Sequence, residues 1–125
     1  MTVKLKRVSI FVEQMQRALD FYRMLGLEIP ESANEKHHVD VEHNGLRLSF
    51  GTWESAQVMF DGHVEPAGYR MEIAFQFDSR DALDDLYRQM TEHGYIGHRE
   101  PRDMPWGERF AIVKDPDGNL ISLVA

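Results

Sequence analysis

With 125 residues, 42% of them apolar, the chain has room for one domain or two small modules sharing a core, and wholesale disorder is excluded. Its 21 acidic against 14 basic residues give a formal charge of −7 with no long run of either sign, so broad attraction to nucleic acid or anionic membrane is not expected. The lack of cysteine excludes disulfides, a thiolate nucleophile and a zinc–thiolate site; MTVKLKRVSIFV turns polar too soon for a signal peptide, no stretch reaches spanning length, and a cytoplasmic protein is expected.

Along the chain, Val8, Ile10 and Val12 alternate with Arg7, Ser9 and Phe11, the period of a strand with one face on a core. Met15, Ala18, Leu19, Tyr22 and Leu25 then recur at helical spacing, and Gly26 stands where a left-handed residue would end the helix. Three short strands are expected after it, around Leu27 to Ile29, His38 to Glu42 and Leu46 to Gly51, the last two joined by the turn-prone His43-Asn44-Gly45. Thr52 to Gly68 has little periodicity and is read as a linker that overhangs the site.

The second half repeats the order. Ile73, Phe75 and Phe77 alternate with Glu72, Ala74 and Gln76; Asp78 or Ser79 caps a helix with the stripe Leu83, Leu86, Tyr87 and Met90, closed by Gly94. Strands are expected near Tyr95 to His98, Arg109 to Lys114 and Asn119 to Val124, with Asp117-Gly118 turning into the last. Ala18-Leu19-Asp20 also matches Ala82-Leu83-Asp84. The expected fold is therefore α+β: two tandem βαβββ modules, about 1–51 and 69–125 with linker 52–68, forming a curved mixed sheet with a concave cavity within one 1–125 domain. Val8, Ile10, Val12, Ile73, Phe75 and Phe77 should pack under the helices, which leaves Arg7, Ser9, Phe11, Glu72, Ala74 and Gln76 for the hollow.

RVSIFVEQMQRALDFYRMLGLE and AIVKDPDGNLISLVA resemble the vicinal oxygen chelate superfamily, which groups glyoxalase I, extradiol dioxygenases, fosfomycin resistance enzymes and bleomycin resistance proteins. The match spans essentially the whole chain, but Phe21-Tyr22 and Asp115-Pro116-Asp117-Gly118 are explained by packing and turn chemistry and say little about a reaction. The resemblance implies one divalent metal held by side chains from the first and last strand of each module, usually two histidines and two glutamates. Here those positions fall on Arg7, on Arg47 or Ser49, on Glu72 and on Ser122, of which Glu72 alone is a usual ligand. The six histidines, His37, His38, His43, His63, His93 and His98, show no H-x-H spacing, and His38, Asp40 and Glu42 read as a solvated strand face. As equivalent positions of the two modules, Arg7 and Glu72 are expected to approach each other where the metal would stand.

Pro105-Trp106-Gly107-Glu108-Arg109-Phe110 resembles the segment ahead of the penultimate strand in bleomycin resistance proteins, which lack a catalytic metal and sequester a bulky cationic antibiotic at a dimer interface. The pattern is nearest to those metal-free members. The expected function is binding of a small organic molecule, a drug or metabolite, by a homodimer without cofactor, through Arg7, Phe11, Arg47, Ser49, Trp53, Glu72, Gln76, Trp106 and Ser122. This reading leans against an enzyme. The alternative is a lyase, isomerase or dioxygenase with an atypical divalent-metal site or with Glu72 as general base.

Overall fold

Period-2 and helical patterning build two compact units, Met1–Pro66 and Ala67–Ala125, taken in turn below. The computed structural model describes residues 2–62, 67–68 and 71–125. His63 and residues 63–66 of the expected linker lie outside them, as does residue 69, where the second module was expected to begin.

In the first unit, strand β1 (Val8–Val12) leads into helix α1 (Met15–Met24), a short 3-10 turn (Glu31–Glu35), the hairpin strands β2 (His38–His43) and β3 (Leu46–Thr52), and helix α2 (Trp53–Met59). The sheet has the order β1-β3-β2, with β1 parallel and β2 antiparallel to the central β3. Ile10, Val12, Val39, Val41 and Phe50 are buried, as are Ala18, Leu19, Phe21 and Tyr22 of α1. The Tyr22 ring meets Phe50 at a tilt, 4.9 Å between centres, and Phe21 edge-on at 5.0 Å, so the aromatic pair anchors helix to sheet as its spacing implied. Gly26 adopts φ 103° just past the helix, a left-handed conformation open to glycine without steric cost.

Two expectations fail in this unit. Leu27 and Ile29 are buried, but Leu27 to Ile29 is not a strand: Arg23 holds the carbonyls at its end, Nε donating to Ile29 O and Nη2 to Pro30 O, each at 2.9 Å, while Nη1 pairs with Asp20. Among the described residues the unit accordingly has three strands where the module pattern called for four. Residues 53–59 of the expected linker form α2, capped by the Thr52 hydroxyl, which accepts from Ser55 N.

The second unit follows the expected order in full. Strand β4 (Ile73–Gln76), helix α3 (Arg80–Glu92) and strands β5 (Ile96–Asp103), β6 (Arg109–Lys114) and β7 (Leu120–Val124) form a sheet of order β4-β7-β6-β5, with β4 parallel to β7 and the rest antiparallel. Ser79 caps α3 by accepting from Ala82 N at 3.0 Å. Leu83 and Met90 bury against Ala111, Val113, Ile121 and Leu123. Arg109 fixes α3 to the sheet through a bidentate contact with Asp84 at 2.9 and 3.0 Å and a further one with Asp103, which also receives Arg80.

β5 is twice the length expected from Tyr95 to His98, because two register shifts let it continue. Pro101 lies within the second, where a missing N–H costs no ladder bond. Gly97 has another reason: a Cβ there would run into the hydroxyl end of Tyr87, so the α3 tyrosine occupies the space of a side chain and would have to move for any other residue. Among the described residues, no helix is long and apolar enough to cross a membrane.

Candidate functional site

The sheet face of the first unit that points away from its buried core carries a row of polar groups whose order follows from strand register. Ser9 of β1 and Asp40 of β2 flank Ser49 of β3; Phe11 and His38 flank Gly51; Glu42 stands opposite Arg47. Ser49 is wholly buried, and its hydroxyl donates to Asp40 Oδ1 at 2.5 Å; His38 Nε2 lies 2.9 Å from the same oxygen. Arg47 pairs with Glu42 at 2.6 Å. His38, Asp40 and Glu42 therefore share one exposed, solvated face as alternation indicated, and within it they are paired side chains. Phe11 lies over Gly51, where a Cβ would approach its ring to 3.1 Å, and meets Phe60 edge-on at 5.3 Å. Trp53 opens α2 and is half-buried.

The Ser49 hydroxyl, above all, holds the Asp40 carboxyl below the ordinary carboxylate range, with His38 and Arg47 adding to the effect and partial desolvation opposing it. A depressed folded-state pKa means this contribution to stability is present above the unfolded value of about 3.9 and is lost as pH falls through the folded one. Ser49→Ala should return the Asp40 titration toward that ordinary value, read from its side-chain carboxyl carbon by NMR. A midpoint unchanged from wild type would show that the serine does not set it.

The second unit presents an equivalent face. Ala74 and Ile112 flank Ser122, and Gln76 and Phe110 flank Val124. Glu72, one residue ahead of β4, is exposed, and its Oε2 accepts a 2.9 Å hydrogen bond from the Ser122 hydroxyl, which is only 3% exposed. Ser122 occupies in β7 the place Ser49 has in β3, opposite Ala74 as Ser49 is opposite Ser9, and Glu72 precedes β4 as Arg7 precedes β1. Each unit thus buries a serine that donates to a carboxylate on its open face. Trp106, 61% exposed in the β5–β6 turn, donates Nε1–H to Glu108 Oε1 at 2.8 Å and stands edge-on to Phe110 at 6.0 Å, so its ring is held in place while accessible. Gln76 ends β4, exposed.

Sequence pattern and topology converge on one family. The pattern described as the Glyoxalase/Bleomycin resistance protein/Dioxygenase superfamily matches residues 4–123. The chain belongs to that superfamily. A relative, the uncharacterized protein YraH of Bacillus subtilis (strain 168), is 26% identical over 125 residues, 97% of either chain. A superfamily member from Sphaerobacter thermophilus DSM 20745 is 28% identical, with a TM-score of 0.69 over 98% of this chain and 97% of its own. The hypothetical protein SA1046 from S. aureus superposes with a TM-score of 0.84 at 18% identity, over 100% of this chain and 95% of its own, a likeness of fold.

A divalent cation is the cofactor such membership brings to mind, and the side chains at the four corresponding positions do not fit one. Arg7 carries a permanent positive charge. Ser49 and Ser122 are neutral, buried hydroxyls already committed to carboxylates, and Arg47, the alternative to Ser49, is paired with Glu42. Glu72 supplies the single carboxylate, one oxygen of which is taken by Ser122. Among the described residues no three histidine, aspartate or glutamate side chains gather closely enough to hold an ion. A hollow of about 290 Å³ does occur in the second unit, along Arg99, Glu100, Pro101 and Arg102 of β5, residues that the alternation pattern did not single out.

Proposed function

We propose that this superfamily member binds a small organic molecule without a divalent metal, and that Glu72 is the polar anchor. The observation that carries the reading is the Ser122–Glu72 pair: a buried hydroxyl orients an exposed carboxylate at the edge of a face floored by Ala74, Ile112, Phe110 and Val124. A carboxylate fixed through one oxygen keeps the other for a ligand N–H or O–H, and the aligned donor lowers the ordering cost of binding. Trp106 and Phe110 add flat apolar surface, which favours a ligand with a ring. A drug or metabolite of that description suits the site, and sequestration is the role. β1 and β4 each end their own sheet, so a homodimer that covers such edges is part of the proposal.

The test couples metal analysis of the purified protein with a thermal-shift screen of ring-bearing amines and alcohols. Binding is expected from metal-free protein, weakened about tenfold or more by Glu72→Gln. Stoichiometric zinc, nickel, manganese or iron, or hits that ignore Glu72→Gln, would reject the proposal. The same oriented carboxylate favours a second reading, in which Glu72 removes a proton from a bound substrate. In that case Glu72→Gln would keep binding and abolish turnover.

A further inference from the structure

Strict alternation would place Arg99 and Arg102, three residues apart on β5, on opposite faces of the sheet. The register does otherwise. Gly97 pairs with Val113 but Arg99 with Ile112, and Arg99 with Ile112 but Arg102 with Phe110, so β5 gains an extra residue at each step. Each bulge shifts the side-chain phase by one. The result puts both arginines on the Ile112–Phe110 side, the face that also holds Ser122, and leaves Gly97 against Tyr87 of α3 and Asp103 against Arg109.

The two arginines also differ from most others in the chain. Arg17, Arg23, Arg47, Arg80, Arg88 and Arg109 each meet a carboxylate, whereas among the described residues none forms an ion pair with Arg99 or Arg102. That is unexpected in a protein with an acidic excess, where a carboxylate partner is statistically easy to find. Glu100, between them, also lines the hollow and forms no ion pair with either; burial above all, and the Glu100 charge with it, raise the pKa of Tyr87. Arg99 is half-buried, and both line the open 290 Å³ hollow. Lys114 stands further along β6 on the same face.

We propose that Arg99 and Arg102 form an oxyanion-binding site on this face, taking the carboxylate or phosphate group of a ligand whose ring lies on Phe110 and Ile112. Two guanidinium forks on one face match the charge of such a group, and among the described residues neither has a carboxylate ion-pair partner to displace first. The proposal rests on the reading of this face as ligand-binding and adds the sign of the ligand's charge: an aromatic acid or aryl phosphate, whose remaining donor would reach Glu72.

The experiment titrates benzoate, phenyl phosphate and the uncharged benzyl alcohol into uniformly 15N-labelled protein and follows the arginine Nε–Hε signals. Both anions should give saturable shifts at Arg99 and Arg102, with phenyl phosphate the tighter, and benzyl alcohol should not move those signals. The Arg99→Gln/Arg102→Gln variant should bind the anions about tenfold more weakly or not at all, since two charge-assisted contacts are removed while one half-buried and one exposed side chain are exchanged for shorter, neutral polar ones. Glu72→Gln should leave the arginine shifts in place, which separates this site from the anchoring role of Glu72. Anions that shift the arginines no more than benzyl alcohol does, or that bind the double variant as they bind wild type, would overturn it.

Discussion

Replacing Asp115 by alanine is expected to lower unfolding free energy by about 3 kcal/mol, the combined effect of leaving several partly buried donors without an acceptor. Asp115 is only 4% exposed, and its carboxylate closes the turn into the last strand: Oδ1 accepts from Asp117 N at 2.9 Å and Asn119 N at 2.8 Å, and Oδ2 from Asn119 Nδ2 at 2.8 Å. Alanine supplies none of these acceptors. Asp115→Asn keeps an oxygen for the two backbone groups and can exchange amide bonds with a flipped Asn119, so its loss should be about 1 kcal/mol. Denaturant midpoints at constant slope measure both. Equal midpoints for the two variants would show that the fold relies on turn propensity and not on this carboxylate. The turn also sets the phase of β7, and a one-residue slip would carry Ser122 away from Glu72.

That turn was plain in the sequence because its requirements are local. Proline presets a dihedral, Gly118 accepts φ 85°, and Asp115 bonds groups two and four residues away. β1, β4 and both long helices were legible for the same reason, each burying one side of a regular period. The misreadings mark where a longer-range or non-periodic contact decides. Leu27 to Ile29 alternates like a strand, but a guanidinium from the preceding helix holds the carbonyls of Ile29 and Pro30 at its end, a contact that periodicity does not encode. α2 buries Ala56 alone among its seven residues, so no stripe announced it, although the Thr52 cap three residues before Ser55 did. In β5 the bulges destroy the alternation that would have flagged Arg99 and Arg102, and Gly97 and Pro101 were their only trace.

The site divides along the same line. The Asp40–Ser49 pair was within reach of the sequence: with Asn44-Gly45 as a two-residue turn at φ 50° and 81°, His43 pairs with Leu46 and counting outward pairs Asp40 with Ser49. The Ser122–Glu72 bond spans 50 residues and joins strands through a parallel pairing, for which no local count exists. Both bonds bear on the same question, because they commit two of the expected metal-ligand positions to carboxylates of their own unit.

Phe50→Ala is expected to have the largest effect of any single change in the first unit, about 3–5 kcal/mol, the usual range for deleting a buried aromatic side chain. Phe50 is fully buried at the middle of the central strand, between Ile10 and Val39, with its ring 4.9 Å from that of Tyr22. Phe50→Leu keeps much of the volume and should cost less than about 1.5 kcal/mol. Ser49 and Gly51, its neighbours in sequence, face the other way, so a cavity beneath β3 is felt on the open side as well. Where the strand relaxes into the void, the short Ser49–Asp40 bond lengthens and the Asp40 carboxyl should titrate nearer its ordinary range in Phe50→Ala, while Phe50→Leu leaves it depressed. An Asp40 midpoint that stays at the wild-type value in a folded Phe50→Ala protein would show that hairpin register alone holds the pair. A shift would show that helix packing on one face of the sheet sets the electrostatics of the other, which makes the aromatic anchor at Tyr22 and Phe50 part of the site as well as of the core.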